Sequence, residues 1–425
     1  MPDTTPSHGA ALAAYALAAR AIPLLAAPVL RRRLKRGKED PARWREKLGE
    51  PTASRPRGTL VWLHAVGLGE VLALRGLIAA MARQQPGLSF LVTSTARSSA
   101  QVMAANLPPD TQHQFLPLDA PQYIARFLDH WRPDLSIWSE QDLWPNAICA
   151  SHARAIPLAL VNARITAASF ERRKRGRALY RAILSRMSLI CAQETGTASR
   201  LSALGARDVR VTGSLKAAAP PLGHDVAALA ALQAACAGRR VWLAASTHPG
   251  DETEAIAAQS TLIAADPARL LVLVPRDGHR APEIAQALRA RSLPFAQRST
   301  GALPSARDAV YLADTYGELG LFYRLADTAL IGGGFDAIGG HNPWEAVALN
   351  TAILFGPDTH NFAADYTRLT KASAALCTPP GSLAAALTDP RLPDMAAAAH
   401  GIWQQARGAL DPLAGDLLAL GKPAP

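Results

Sequence analysis

Short apolar runs alternate with helix-period segments along almost the whole chain, and that alternation constrains the fold more than any other feature. "TLVWLHAVG" (59–67) reads as a strand and leads into "LGEVLALRGLIAAMARQ" (68–84), where apolar residues recur at helical spacing. "LSFLVTSTA" (88–96) is a second strand, followed by a helix over "RSSAQVMAANL" (97–107). "PDLSIWSE" (133–140), "IPLALVNAR" (156–164), "LICAQ" (189–193) and "VRVTGSL" (209–215) continue the series. The stretch "AAAPPLGHD" (217–225) breaks it. Alternation then resumes with "RRVWLAAST", "RLLVLVP", "AVYLAD", "TALIGGG" and "TAILFGP". Strand, short loop and helix in repetition predict an α/β chain with parallel sheets covered on both faces. The break at 217–225 predicts two doubly wound, Rossmann-like halves facing a cleft, with ligands outside the C-terminal strand ends. The expected organisation is an N-terminal segment over 1–40, a first domain over 41–216, a linker over 217–225 and a second domain over 226–425. With 425 residues, the chain has room for two cores.

Residues 10–30, "AALAAYALAARAIPLLAAPVL", are almost all apolar and are followed by "RRRLKRGK". Twenty-one helical residues reach about 31 Å, close to a bilayer core, although Arg20, Pro23 and Pro28 interrupt the run. The positive charges follow the apolar stretch, which argues against a signal peptide and places the following domains in the cytoplasm. The expectation is a membrane-associated helix with anionic lipid headgroups against the basic run; a core helix of the first domain is the competing reading. Charge is uneven: residues 1–215 hold 29 Lys/Arg against 15 Asp/Glu, and residues 216–425 hold 16 against 19. A basic first half calls for an anionic partner. Nucleic acid fits poorly, because the basic residues cluster around an apolar segment without interleaved aromatics. "ERRKRGR" (171–177) reads either as a second basic contact near the membrane or as a solvated helix face. Cys149, Cys191, Cys236 and Cys377 have no CxxC spacing and read as buried thiols, with neither zinc nor a disulfide framework expected.

"GGGFDAIGGHNPWE" (332–345) follows a predicted strand and precedes a helix. So many glycines mark backbone that must approach something closely, either a phosphate or another part of the protein. A glycine loop before a helix N-terminus offers N–H groups and a positive dipole end to an anion. Glu345 in the first turn would then accept from ribose hydroxyls. The same half carries two more strand exits of interest: "AASTHPGDE", with Ser246 and Thr247, and "LVLVPRDGHR", with Arg276 and Arg280. Three such loops favour a nucleotide, and the absence of GxxxxGK[ST] excludes a P-loop. In the first half, Glu70 opens the helix after the first strand, and Glu140 and Asp142 lie at another strand exit. These carboxylates suggest acid–base chemistry, set against simple complementation of helix dipoles.

"WLHAVGLGE", "SEQDLWPN", "LVNARIT", "VTGSLK", "AASTHPGDE", "VPRDGHR", "LADTYGEL", "GGGFDAIGGHNPWE" and "GPDTHNF" occur in an order that resembles the Kdo (3-deoxy-D-manno-octulosonic acid) transferases of Gram-negative bacteria. The resemblance covers nearly the whole chain. It implies a GT-B glycosyltransferase at the cytoplasmic face of the inner membrane, moving Kdo from CMP-Kdo to the lipid A precursor with inversion, in lipopolysaccharide biosynthesis. It further implies Glu70 as general base with Glu140 beside it, and Gly69, Asp142, Asn146 and Arg164 on the acceptor side. Ser246, Thr247, Arg276, Gly333, Gly334, Gly340, His341, Asn342 and Glu345 would bind the donor, with no cofactor and no metal. Departures from the family pattern are Gly67 for a serine, Gln141-Asp142 within the acidic motif, and Asp277 for a histidine. They leave room for a GT-B paralogue with another sugar nucleotide or acceptor, or for a non-catalytic lipid-binding scaffold.

Overall fold

The computed structural model describes residues 9–97, 100, 103 and 107–421; the helix expected over 97–107 lies largely outside them, as do residues 1–8 of the N-terminal segment. The chain divides into two compact units. One runs to Ala219 and resumes at Ala406; the other spans Pro220–Gln405.

The first unit begins with helices α1 (Ala10–Ala19) and α2 (Ile22–Lys35), bent by 52° at their junction. Its sheet holds β1 (Leu60–His64), β2 (Ser89–Ser94), β3 (Thr111–Phe115), β4 (Leu135–Ser139), β5 (Leu158–Ala163), β6 (Leu189–Ala192) and β7 (Val209–Val211). All pairs are parallel and the order is β3-β2-β1-β4-β5-β6-β7. Connecting helices include α3 (Leu68–Gln84), α4 (Pro121–Trp131), α5 (Pro145–Ala153), α6 (Ala167–Lys174), α7 (Arg177–Leu184) and α8 (Thr195–Leu204). The central strands β1, β4 and β5 are buried on both faces, which is why they read as continuous apolar runs.

In the second unit, α9 (Val226–Ala235) precedes β8 (Arg240–Thr247), α10 (Pro249–Ala265), β9 (Arg269–Pro275), β10 (Phe295–Gln297), β11 (Val310–Leu312), β12 (Thr328–Ile331), β13 (Ala352–Phe355) and β14 (Leu376–Cys377). The sheet order is β10-β11-β9-β8-β12-β13-β14, again parallel throughout. In each sheet the strand order reverses once beside the first strand of the unit, between β1 and β4 and between β8 and β12. Such switch points open a crevice at the C-terminal strand ends.

The chain end departs from expectation. Residues 226–425 were expected to form one domain, yet the helix Leu410–Leu420 belongs to the first unit. Its Leu410, Leu413 and Leu417 enter the core formed by Leu74, Leu77, Ile78 and Met81 of α3. Each buried leucine is worth about 1.5–3 kcal/mol. The exposed pairs Arg83–Asp411 (2.7 Å) and Arg210–Asp416 (2.6 Å) add little beside that.

No single described helix is long and apolar enough to cross a membrane; α1 and α2 pass that test only as a bent pair. Leu12 and Ala19 of α1 are buried, and Ala26 and Leu30 of α2 pack with Leu48, Ala120 and Tyr123. Leu17, Leu24, Leu25 and Val29 remain exposed. Part of the basic run is used internally: Arg33 and buried Lys47 both reach Glu39 at 2.5 Å. Of the four thiols, only Cys191 and Cys236 are buried; Cys149 is half-buried and Cys377 exposed.

Candidate active site

In the first unit the carboxylates converge at the switch point. Gly67 ends the loop after β1 in extended geometry, and α3 starts at Leu68, which places Glu70 in the third helical position. Its Oε2 accepts from the backbone N–H groups of Val66 (3.2 Å) and Gly67 (3.1 Å). This is one arm of a capping box; the other arm needs a hydroxyl that glycine lacks. A Cβ on residue 67 would stand 3.0 Å from Glu70 Oε1, so that oxygen faces the space glycine leaves open.

Glu140 follows β4 with φ +63°, a left-handed backbone that a glutamate adopts only under constraint. Its N–H is fixed on Val161 O at 3.1 Å, and the residue is 6% exposed. Lys216 Nζ lies 2.9 Å from Glu140 Oε1, and the Glu70 carboxylate is close enough to act on Glu140 electrostatically. Burial pushes the Glu140 carboxyl above the usual range; Lys216 pulls it down and Glu70 raises it again. Asp142 is also raised, first by lost hydration and then by Glu70, with Arg173 opposing. Gly69 is exposed beside this cluster, and a Cβ there would meet Lys216 Cε at 3.9 Å. Lys216 stood inside a quoted motif, but no spacing rule links position 216 to position 140. Asn162, left-handed at the end of β5, brings it in by accepting from Leu215 N at 2.9 Å.

Two expected acceptor-side residues stand otherwise. Asn146 is buried at the start of α5, with its Nδ2 donating to Asp119 O (2.6 Å) and its N–H to Asp119 Oδ2 (3.0 Å). It is committed to scaffolding. Arg164 is half-buried just past β5, and its guanidinium has no hydrogen-bond or ion-pair partner among the described residues. Arg173 of the second basic run also faces inward, donating to Gln141 Oε1 at 3.1 Å.

In the second unit the glycine loop meets the protein itself. Gly333 (φ +81°) donates to Asp251 Oδ2 at 2.6 Å, Phe335 N donates to Asp251 Oδ1 at 3.2 Å, and His248 N donates to Asp251 Oδ2 at 2.9 Å. Gly340 (φ +71°) donates back to Gly333 O. A Cβ on Gly334 would sit 2.7 Å from Gly356 N, backbone against backbone. Of the three glycines expected to cradle a phosphate, Gly333 and Gly340 thus have their N–H groups taken within the protein, and Gly334 packs against Gly356. Their freedom serves close packing, and a carboxylate already occupies the N–H group of Gly333. Thr247 is likewise turned inward, its hydroxyl reaching Val274 O at 3.4 Å with no exposure. Arg280 pairs with Glu252 at 2.8 Å. At the departure Asp277, the carboxylate accepts from His279 N (3.0 Å) in its own loop and from Tyr316 OH (3.1 Å) in the loop after β11, and these bonds keep it charged.

What remains open at this switch point is a set of side chains. The strand β8 breaks register between Ala245 and Thr247, and Ser246 sits there at φ +57°. His248, next along, stacks on His341 with rings 5.1 Å apart and Nε2 atoms 2.9 Å apart. One ring donates to the bare nitrogen of the other. Burial, His248 and Arg276 lower His341 to about 4, so that ring is neutral at pH 7. Arg276 is exposed, and its guanidinium has no hydrogen-bond or ion-pair partner among the described residues. Asn342 accepts from Trp344 N (3.2 Å) and contacts Glu345 Oε1 (3.4 Å). Burial raises Glu345 while Asn342 and Arg276 oppose it. His248 lies outside the expected donor set, although "AASTHPGDE" places it directly after Ser246 and Thr247.

Two doubly wound parallel sheets with chemistry at each switch point make this a protein of the GT-B class. Solved structures with that fold include UDP-GlcNAc 2-epimerase from Neisseria meningitidis (TM-score 0.55, 13% identity, covering 85% of this chain and 100% of that one). The calicheamicin glycosyltransferase is another (TM-score 0.51, 13% identity, 87% and 100%). Sequence narrows the class. Residues 42–219 match the family model described as 3-deoxy-D-manno-octulosonic-acid transferase (kdotransferase). The probable mitochondrial 3-deoxy-D-manno-octulosonic acid transferase of Arabidopsis thaliana is 36% identical over 350 residues, 80% of this chain and 78% of the relative. The 3-deoxy-D-manno-octulosonic acid transferase of Bordetella pertussis is 37% identical over 341 residues, 77% and 78%. The chain belongs to the Kdo transferase family of glycosyltransferases.

Proposed function

We propose that this chain transfers Kdo from CMP-Kdo to a hydroxyl of the lipid A precursor, with inversion, at the cytoplasmic face of the inner membrane. The observation that carries the reading is the Glu70–Glu140–Lys216 constellation at the switch point of the first sheet. Glu70 is the general base. Backbone N–H groups hold one of its oxygens, and the other takes the proton of the acceptor hydroxyl as that oxygen attacks the anomeric carbon. The bond from the anomeric carbon to the phosphate oxygen breaks as the new one forms, and CMP leaves with both electrons. Glu140, held by Lys216, fixes the charge beside the base, and Asp142 adds to it on the acceptor side.

The donor is read by the second unit. Arg276 and the His248–His341 pair meet the phosphate, with Ser246 beside them, and Asn342 orients Glu345 toward the ribose hydroxyls. A phosphate arriving against neutral His341 favours its protonation, which neutralises charge building on the leaving group. The acceptor's acyl chains and anionic lipids of the inner membrane face the exposed Leu17, Leu24, Leu25 and Val29 and the exposed Arg31, Arg32, Lys35 and Arg36.

The test is transfer from CMP-Kdo to a tetraacyl lipid A precursor, followed by CMP release and product mass, with Glu70→Gln alongside. Added Kdo mass that disappears in Glu70→Gln, with CMP binding kept, is the expected result. Release of UDP from a UDP-sugar, with none from CMP-Kdo, would replace this donor. Full activity in Glu70→Gln would remove the base.

A further inference from the structure

The loop carrying Glu140 and Asp142 is held at its far end by a residue remote in sequence. Helix α5 starts directly after this loop, and its N-cap residue is Trp144, whose side chain caps nothing. The first N–H groups of a helix need acceptors, and a serine or aspartate at the N-cap would supply one locally. Here the acceptors come from Asp119, in the connection between β3 and α4. Its Oδ2 takes Asn146 N and its Oδ1 takes Ala147 N, each at 3.0 Å, while its backbone oxygen takes Asn146 Nδ2 at 2.6 Å.

Asp119 is only 5% exposed, and burial raises its carboxyl against the three hydrogen bonds that favour the charge. The third of those bonds comes from Tyr15 OH at 2.9 Å, on helix α1. That helix and its neighbour α2 carry the exposed Leu17, Leu24, Leu25 and Val29. One buried carboxylate therefore joins the apolar N-terminal helices to the first turn of α5. From the other side, Arg173 of α6 holds Gln141 through both its side-chain oxygen (3.1 Å) and its carbonyl (3.4 Å). The loop between has little freedom left.

We propose that Asp119 is a positioning residue for the transfer reaction: through it, Tyr15 on α1 holds the start of α5 and so the loop that presents Glu140 and Asp142. The proposal rests on the reading of Glu70 and Glu140 as the acceptor-side machinery. It makes seating of the apolar helices and placement of the carboxylates one event. A loop displaced by an ångström costs turnover of the bound donor, while the donor residues, all on the second unit, keep their affinity.

The experiment uses the full chain in vesicles of zwitterionic and anionic lipid, with a tetraacyl lipid A precursor as acceptor and CMP binding followed by calorimetry. Tyr15→Phe should lower kcat by about 3–10-fold with KM for CMP-Kdo and CMP affinity unchanged. Asp119→Ala should lower it by about 100-fold. Asp119→Asn, which keeps one acceptor oxygen, should fall between. Tyr15→Phe combined with Asp119→Asn should be no worse than Asp119→Asn alone, because both remove one linkage. Wild-type kcat in Tyr15→Phe would overturn the proposal, as would losses in every variant that track only the folded fraction measured by near-UV circular dichroism. Glu70→Gln at full rate would overturn the active-site reading and this proposal with it, whereas an inactive Glu70→Gln beside a wild-type-like Tyr15→Phe overturns the latch alone.

Discussion

Replacing Lys216 by methionine removes the cation from the carboxylate cluster while keeping its apolar length. Its Nζ lies 2.9 Å from Glu140 Oε1, and the two side chains are 17% and 7% exposed. At that distance two unit charges interact by about 1.4 kcal/mol in bulk water and about 6 kcal/mol at an effective dielectric of about 20. The lower figure is worth about 1 pH unit, the upper about 4. The pair is buried yet reaches solvent at the lysine end, so a displacement of about 1–2 units is expected. The sign follows from the opposing causes. Burial and Glu70 raise Glu140, and Lys216 lowers it, so losing Lys216 lets Glu140 keep its proton to higher pH. A protonated Glu140 no longer sets a negative charge beside Glu70, which weakens Glu70 as a base. The acid limb of kcat/KM in Lys216→Met should therefore move upward by about 1–2 units, with CMP affinity unchanged. The assay is the pH–rate profile of Kdo transfer between pH 5 and 9 for both proteins. A limb that stays in place, or moves down, in a variant that still turns over would refute the electrostatic role of Lys216.

Gly334→Ala should lower the melting temperature by about 4–10 °C, since a Cβ 2.7 Å from the Gly356 backbone overpacks by about 1–3 kcal/mol; an unchanged melt with CMP binding lost would restore the phosphate-cradle reading. Arg276→Ala should weaken CMP about 10–100-fold by calorimetry, whereas Arg280→Ala, whose guanidinium is spent on Glu252, should leave it alone; equal losses would contradict that division. His64 is fully buried, holds Thr93 Oγ1 at 2.9 Å and is lowered to about 3 by burial. The native state then refuses a proton that the unfolded chain accepts near pH 6.5. Stability falls as pH drops through that value and goes on falling to about 3, by about 1.6 kcal/mol between pH 6.5 and 5. His64→Gln should lack that increment in urea titrations at the two pH values; an identical pH dependence would show that His64 does not titrate this way.

The central strands were legible because burial on both faces turns each into a continuous apolar run, as in "LVWLH" of β1 or "LLVLVP" of β9. The edges were not. β3 reads "TQHQF", polar and half-exposed over its first three residues, and β10 and β14 are three and two residues long, too short to show any period. Pattern sees burial, and an edge strand has little of it. The closing helix Leu410–Leu420 was assigned to the wrong unit for a related reason, because an amphipathic stripe states that a face is buried without stating against what.

The site was legible by position, but the occupancy of its backbone groups was not. Every expected carboxylate and the glycine loop fall at strand exits beside a switch point, which topology alone accounts for. What composition could not convey is which backbone groups are already taken. Asp251 is 82 residues before Gly333, and nothing local in "GGGFDAIGG" announces that a carboxylate from the start of α10 will occupy its N–H groups. The consequence reaches the chemistry. In the proposed reaction an anion brought to that loop meets Asp251, a group of its own sign, so attraction of the donor phosphate falls to side chains, Arg276 and the His248–His341 pair. Side-chain cations and titrating imidazoles can respond to charge that appears as a bond breaks, whereas fixed amides bind ground state and transition state more nearly alike. In the proposed reaction, a glycine loop used for packing and a neutral His341 are thus two halves of one arrangement, which saves its electrostatic response for the departing phosphate.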